Sequence, residues 1–163
     1  MSIRPSIFYW SLLTAIVAVL SLGPSFAHVL EAAPRLSWPP DLWRETTVFN
    51  AQFWLFAAVG APFDLAAIAL PAGLAWLLRR DRTAFRFAFA AAALYALALA
   101  AWLTLVAPAN AELATWQPGP IAENFDAVRL RWETGHIVVA GIKLIGFIAL
   151  VVAMLNINRD RAG

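Results

Sequence analysis

Cysteine is absent from this chain of 163 residues, and charged residues make up only 13% of it. The absence of cysteine excludes disulfides, thiolate metal sites and redox chemistry by thiols. The shortage of charge excludes a soluble domain of this length, because such a domain needs a polar shell around its core. With 62% hydrophobic residues, the chain must expose much of its surface to lipid. Residues 1–163 are long enough for a single domain.

Lysine and histidine are also scarce. The chain has one lysine and two histidines beside eleven arginines. The arginines do not form a stripe with interleaved aromatic residues, so the sequence does not indicate nucleic-acid binding. Tryptophan, by contrast, is frequent. Seven of the tryptophans lie near predicted membrane interfaces, which suit an indole ring: Trp10, Trp38, Trp43, Trp54, Trp76, Trp116 and Trp132.

Four apolar segments are long enough to cross a bilayer core, which takes about 20 helical residues. They lie at about 7–28, 52–78, 84–106 and 128–157. Their length and their richness in alanine and leucine are typical of membrane helices and not of barrel strands. The sequence therefore predicts an all-α fold, an integral membrane four-helix bundle. Pro108 is expected to break or kink the third helix near its outer end.

Arginine placement predicts the orientation of this bundle. Seven arginines flank the ends that we assign to the cytoplasm: Arg4, Arg79, Arg80, Arg82, Arg86, Arg159 and Arg161. Four others are spread over the longer loops 29–51 and 107–136. Both termini are therefore expected to be cytoplasmic and these two loops to face outward. The expected location is a bacterial inner membrane.

Small and polar residues form stripes on the first two helices. On the first helix they recur at a spacing of 3-4-3-4-3: Ser11, Thr14, Ala18, Ser21, Ser25 and His28. The second helix has a similar face: Ala57, Gly60, Asp64, Ala67 and Pro71. Small residues let membrane helices approach closely, so both stripes should face the other helices. His28 is thereby predicted to point into the bundle.

Both histidines fall at predicted outer ends of helices, each three residues from a glutamate. Residues three apart lie on one helical face, so each pair can aim at one point. Helix bundles that bind metals use such pairs together with further carboxylates. The candidate ligands of a transition metal are therefore His28, Glu31, Glu112, Glu133 and His136.

Other arrangements of these side chains remain open. They could line a polar pocket for an organic ligand, or the two histidines could hold a haem. They could also be structural, because Arg35, Arg129 and Arg131 are close enough in sequence to neutralise Glu31 and Glu133. The sequence thus leaves the cofactor undecided between none and a transition metal.

Asp64 and Lys143 are predicted to lie near the middle of the membrane core, on the second and fourth helices. An unpaired ion there costs about 2.5–3.5 kcal/mol, so we expect the two residues to pair inside the bundle. Such a pair either sets the register of the helices or forms a path for protons or substrate beneath the outer site.

The segments VAPANAELATW (106–116) and RLRWETGH (129–136), followed by an apolar helix, resemble the anthrone-oxygenase-like family of four-helix membrane proteins. AHVLE (27–31) is similar to the bacterial members. The resemblance covers most of the chain. It matches the family's pattern at Asn110, Trp116, Arg131, Trp132 and His136. It departs one turn after the histidine, where many members have arginine and this chain has Val139 and Ala140.

The resemblance implies the reaction of the fungal members, which oxygenate an anthrone to an anthraquinone without an obvious cofactor motif. His136 would be the base that removes an acidic carbon-bound proton, and Asn110 or Arg131 would stabilise the enolate oxygen. Five further residues are expected to bind the ligand: His28, Glu31, Trp132, Asp64 and Lys143.

We therefore expect a small membrane oxidoreductase or oxygenase that binds a lipophilic aromatic or quinone-like molecule near the outer face. The alternatives are a metal-binding bundle and a non-catalytic subunit or assembly factor. The latter would dock a partner membrane subunit or a second copy of the chain. An enclosed pocket lined by both histidines favours the enzyme, whereas an apolar groove without an inner pocket favours the docking protein.

Overall fold

The computed structural model describes residues 4–50 and 52–157. Arg159 and Arg161, which enter the orientation argument, lie outside the described residues, as do the side chains of Trp54 and Ala57. The described residues form helices and no strand. In chain order the elements are α1 (Pro5–Ser37), α2 (Pro40–Thr47), α3 (Gln52–Leu77), α4 (Arg82–Ala101), a π-helical turn (Trp102–Val106), α5 (Ala107–Leu113) and α6 (Phe125–Asn156).

Four of the helical runs are long and apolar enough to cross a membrane: Pro5–Ser37, Ala58–Leu77, Arg82–Leu113 and Phe125–Asn156. Large apolar side chains cover their outward faces, and Leu155 is 75% exposed. Such a surface is stable in lipid, where the helices satisfy their own backbone hydrogen bonds. The prediction of an all-α, four-helix membrane bundle is confirmed.

The four long helices enclose a common axis, because α1 and the α4–α5 run lie opposite each other and each packs against α6. α3 packs between α1 and α4 on the other side. We call the end with the α3–α4 connection the inner end and the end with α2 the outer end. The predicted stripe on α1 faces this axis, since Ser11, Thr14, Ala18, Ser21 and Ser25 are buried.

The inner half packs through small residues. Its buried core contains Ala18, Ala67, Ala84, Ala88, Ala91, Ala149 and Ala153. At Gly146 a Cβ atom would lie 3.3 Å from the Leu94 Cβ atom and from the Tyr95 ring. Helices approach closely here because these residues have little or no side chain.

Two predicted helix ends differ from those observed. α1 continues past His28 to Ser37, although Pro24 and Pro34 lie inside it. Of the predicted break or kink at Pro108, the break is wrong, because the helical run continues through the π-helical turn to Leu113. Proline has no N–H to donate. The Thr104 carbonyl, one turn before Pro108, accepts a hydrogen bond from Arg131 at 3.4 Å instead.

The outer loop contains a helix that we did not predict. α2 begins at Pro40 and carries Asp41 in its first turn, which are ordinary signals of a helix start. Its Trp43 side chain is completely buried, as Trp132 on α6 nearly is. These two tryptophans were expected near the membrane interface, and the structure shows that both indole rings pack inside the protein. They pack edge to face, with ring centroids 5.7 Å apart.

Candidate functional site

A cavity of about 700 Å³ lies between the long helices in the outer half. This volume is in the range of sites that bind small organic molecules. Its charged and imidazole lining consists of His28, Glu31, Arg35, Asp64, His136 and Lys143. Tryptophan and leucine side chains supply apolar walls, namely Trp38, Trp102, Trp132, Leu65, Leu99 and Leu103.

The two histidines meet in this cavity. The ring centroids of His28 and His136 are 4.1 Å apart, with an angle of 31° between the ring planes. Trp132 presents its indole edgewise to both rings, at 5.2 Å from His28 and 4.4 Å from His136. The predicted convergence of the imidazoles from α1 and α6 is confirmed.

The hydrogen bonds of the two rings differ. Arg35 Nη2 lies 3.4 Å from His28 Nδ1. A guanidinium group can only donate, so this contact is a hydrogen bond when His28 Nδ1 carries no proton. Within residues 4–50 and 52–157, His136 has ring contacts but no side-chain hydrogen bond. Its ring nitrogens are therefore available to a molecule in the cavity.

Arg35 connects the site to a buried carboxylate. Its Nε and Nη2 atoms donate to the two oxygens of Glu133, each at 3.0 Å, and Nη1 donates to Glu31 at 2.7 Å. Trp43 Nε1 also donates to Glu133, at 2.9 Å. Glu133 has no exposed surface. These bonds join the outer ends of α1, α2 and α6 beside the imidazoles.

The predicted metal ligands do not assemble. Among the described residues, no three His, Asp or Glu side chains are placed to hold one ion. Glu31 and Glu133 bind Arg35 instead, and Glu112 accepts a hydrogen bond from Asn124. A haem does not fit between the imidazoles either, because two axial ligands approach the iron end-on from opposite faces of the porphyrin, whereas these rings lie face to face.

Arg131 does not occupy the position that the resemblance implied. It is exposed, lies outside the cavity lining and donates to the Thr104 carbonyl. The arginine in the cavity is Arg35, which we had considered only as a neutralising charge. Asn110 does line the cavity, and its Oδ1 atom accepts a hydrogen bond from Trp132 at 2.8 Å. This bond orients the amide, so its N–H groups are the donors available beside the imidazoles.

The predicted Asp64–Lys143 pair is confirmed and forms the inner end of the cavity. Lys143 Nζ donates to Asp64 Oδ1 at 2.6 Å, to Ser25 Oγ at 3.0 Å and to the Ser21 carbonyl at 3.1 Å. These three bonds use all three donors of the ammonium group. Ser21 Oγ donates to the same Asp64 oxygen at 2.6 Å. Lys143 is thus buried and extensively hydrogen-bonded, as a charge in the membrane core requires, whereas Asp64 is half-buried beside the cavity.

Several site residues were missed for identifiable reasons. Arg35 continues the 3-4 spacing of the α1 stripe through Ala32, but we ended the helix at His28. Trp43 was assigned to a loop because α2 was not recognised. Trp102 enters the cavity from the π-helical turn, for which the sequence carries no signal that we can identify. Trp116 packs against Phe125 and lies outside the cavity lining.

In comparisons with known proteins, the chain matches no family model, no curated protein and no solved structure. The resemblance to the anthrone-oxygenase-like family therefore stays a prediction.

Proposed function

We propose that this protein is a small membrane oxidoreductase of the oxygenase type, which binds a lipophilic aromatic molecule in the cavity and oxidises it with O₂. The observation that carries the proposal is an apolar-walled cavity of about 700 Å³ with both imidazoles in its lining. Tryptophan walls suit an aromatic ring, and a few convergent polar groups suit its oxygen atoms. The arginine distribution agrees with a bacterial inner membrane, with the cavity toward the outer face.

His136 is the proposed base. Its ring lies at the cavity and is not engaged by a protein hydrogen bond among the described residues. It removes a proton from an acidic CH₂ group of the aromatic molecule, and the amide N–H groups of Asn110 stabilise the enolate oxygen. Glu31 and Glu133 act on the site through Arg35, which they neutralise and hold against His28.

The remaining chemistry balances with O₂ as the only oxidant. The enolate transfers one electron to O₂, and the resulting carbon radical and superoxide combine into a peroxide anion at the same carbon. The proton that His136 took from the CH₂ group returns to this anion and gives the hydroperoxide. Removal of the second proton then breaks the O–O bond and releases water. The net change converts one CH₂ group and one O₂ molecule into one carbonyl group and one water molecule.

The test is the oxidation of anthrone by the protein in lipid nanodiscs, followed as O₂ consumption and anthraquinone absorbance. The wild-type rate should exceed that of protein-free nanodiscs. His136→Ala should lower the protein-dependent rate by about 10²–10⁴-fold, which is the usual contribution of a general base. Thr134→Ala, an exposed substitution on the same helix, should leave the rate unchanged. Equal rates for wild type and His136→Ala would contradict the assignment of the base.

A second outcome would favour a different class of protein. If the wild type binds aromatic molecules but oxidises anthrone no faster than empty nanodiscs, the cavity is a binding site and not an oxygenase centre. The non-catalytic subunit would then be the better description. The convergence of both imidazoles and of charged side chains in the cavity lining supports the enzyme.

A further inference from the structure

We infer that Asp64 is a second recognition point of the cavity, where it accepts a hydrogen bond from a hydroxyl group at the deep end of the ligand. This inference rests on the proposed function, because it specifies a feature of the molecule that binds there. It adds a requirement that neither the histidines nor Asn110 impose.

The two oxygens of the Asp64 carboxylate have different surroundings. Oδ1 accepts hydrogen bonds from Lys143 Nζ and from Ser21 Oγ, both at 2.6 Å. Oδ2 accepts no hydrogen bond from any described residue. The Asp64 side chain is 18% exposed and lines the cavity. Oδ2 is not a fully buried atom, so a ligand in the cavity that carries a hydrogen-bond donor can reach this charged acceptor.

The neighbouring groups have no hydrogen to offer a ligand. All three N–H groups of Lys143 donate within the cluster, and the Ser21 hydroxyl donates to Asp64. The Ser25 hydroxyl is directed to the Ser21 carbonyl, at 3.5 Å. The deep end of the cavity therefore presents a charged acceptor and no spare donor. Such an end selects a hydroxyl group over a carbonyl or an ether oxygen.

The distance between the two recognition points limits the size of the ligand. His28 lies seven residues from Ser21 on α1, and His136 lies seven residues from Lys143 on α6. At 1.5 Å per residue, both helices place the imidazoles about 10 Å from the deep end. Asn110 offers its donors at the imidazole end. The matching ligand is an elongated fused-ring aromatic with a carbonyl oxygen at one end and a hydroxyl group at the other.

The wall of α3 leaves room for such a ring above Asp64. Gly60 lies one turn toward the outer end from Asp64 and lines the cavity together with Ala61. A Cβ atom added to Gly60 would meet no atom within 4 Å. The cavity wall at Gly60 can therefore accept the edge of a ring without displacing a described side chain.

Two ketones that differ in one methyl group test the inference. They are 6-hydroxy-2-acetonaphthone, which has a hydroxyl donor opposite its carbonyl, and 6-methoxy-2-acetonaphthone, which has none. Binding is measured by calorimetry with protein in nanodiscs, after subtraction of the heat of partition into empty nanodiscs. We expect the wild type to bind the hydroxy ketone about tenfold more tightly or better, since a hydrogen bond to a charged acceptor has this effect on affinity.

Two variants and a matched control assign the preference to Asp64. Asp64→Asn should make the two affinities nearly equal. Because this variant leaves Lys143 without its counter-ion, the double variant Asp64→Asn/Lys143→Met, which removes both charges, should give the same result. Asp126→Asn is the control, since Asp126 is an exposed carboxylate paired with Arg129 outside the cavity. It should keep the wild-type preference.

The outcomes separate this inference from the proposed function. Equal binding of both ketones to the wild type, with anthrone oxidation intact, would overturn the role of Asp64 and leave the function standing. A preference that survives in the double variant would also overturn it. If the wild type binds neither ketone and does not oxidise anthrone, the proposed function and the inference fail together.

Discussion

The inner and outer halves of the bundle are packed by different means. The inner half joins its helices through alanine and glycine, with Ala18, Ala84 and Ala88 fully buried. The outer half uses Trp43, Trp132 and a buried network of charges. Lipid tails are as apolar as the core, so close contact between helices stabilises a membrane bundle more than burial itself does. In the outer half the helices lie further apart around the cavity and have less close contact. Hydrogen bonds between charged groups join the helices there instead.

The largest expected effect on stability lies in the outer network. Glu133→Ala leaves the buried Arg35 without its main counter-ion and should lower the free energy of unfolding by about 3–5 kcal/mol. Asp126→Ala removes the carboxylate of an exposed ion pair on the same helix and should change it by about 0–1 kcal/mol. Unfolding by SDS in mixed micelles measures both. Similar losses in the two variants would mean that the network does not hold the outer half together.

The Asp64–Lys143 pair should give the next largest effect and a distinctive pattern. Lys143→Met alone leaves a carboxylate unpaired in the membrane core and should cost about 2.5–3.5 kcal/mol. The double variant Asp64→Asn/Lys143→Met removes both charges and should recover most of that loss. The same unfolding measurement applies. Additive losses would show that the two side chains are not coupled.

Substitution of glycines by leucine distinguishes close packing from open surface in the inner and middle parts of α6. Gly146→Leu forces a side chain into the Leu94–Tyr95 contact and should cost about 1–3 kcal/mol. Gly141→Leu is the matched control, because Gly141 is exposed on the same helix and a Cβ atom there meets nothing within 4 Å. Equal unfolding free energies for the two variants would contradict the packing assigned to the inner half.

The smallest effect on stability should come with the largest effect on binding. Gly60→Leu places a side chain in the open cavity and should change the unfolding free energy by less than about 0.5 kcal/mol. It should abolish calorimetric binding of 6-hydroxy-2-acetonaphthone, whereas Gly141→Leu should bind as the wild type does. Undiminished binding to Gly60→Leu would place the ligand outside the cavity.

The fold could be predicted because its determinants are local. The length of the apolar segments predicts the four membrane spans. The 3-4 spacing from Ser11 to His28 predicts which face of α1 packs against the other helices. The same spacing was sufficient to predict that His28 meets His136. The Asp64–Lys143 pair could be predicted from depth alone, since two lone charges at one depth in the membrane have few other partners.

The rest of the site depends on contacts that the local sequence does not specify. Glu133 and His136 share a helical face, yet the carboxylate binds Arg35, 98 residues earlier in the chain, and not an ion beside the histidine. Arg131 lies on the exposed side of α6, beside the buried Trp132, and donates to the Thr104 carbonyl, to which Pro108 has no N–H to donate. The π-helical turn follows no residue pattern that we recognise, although it brings Trp102 to the cavity.

The most direct test of the shared cavity uses the fact that the chain has only two histidines. Labelling with ¹³C-histidine gives one ring Cε1 signal for each of them in nanodiscs. On titration with 6-hydroxy-2-acetonaphthone, the account predicts that both signals shift with one common midpoint and that neither shifts in Gly60→Leu. A shift of only one signal, or the same shifts in Gly60→Leu, would contradict a single ligand site lined by His28 and His136.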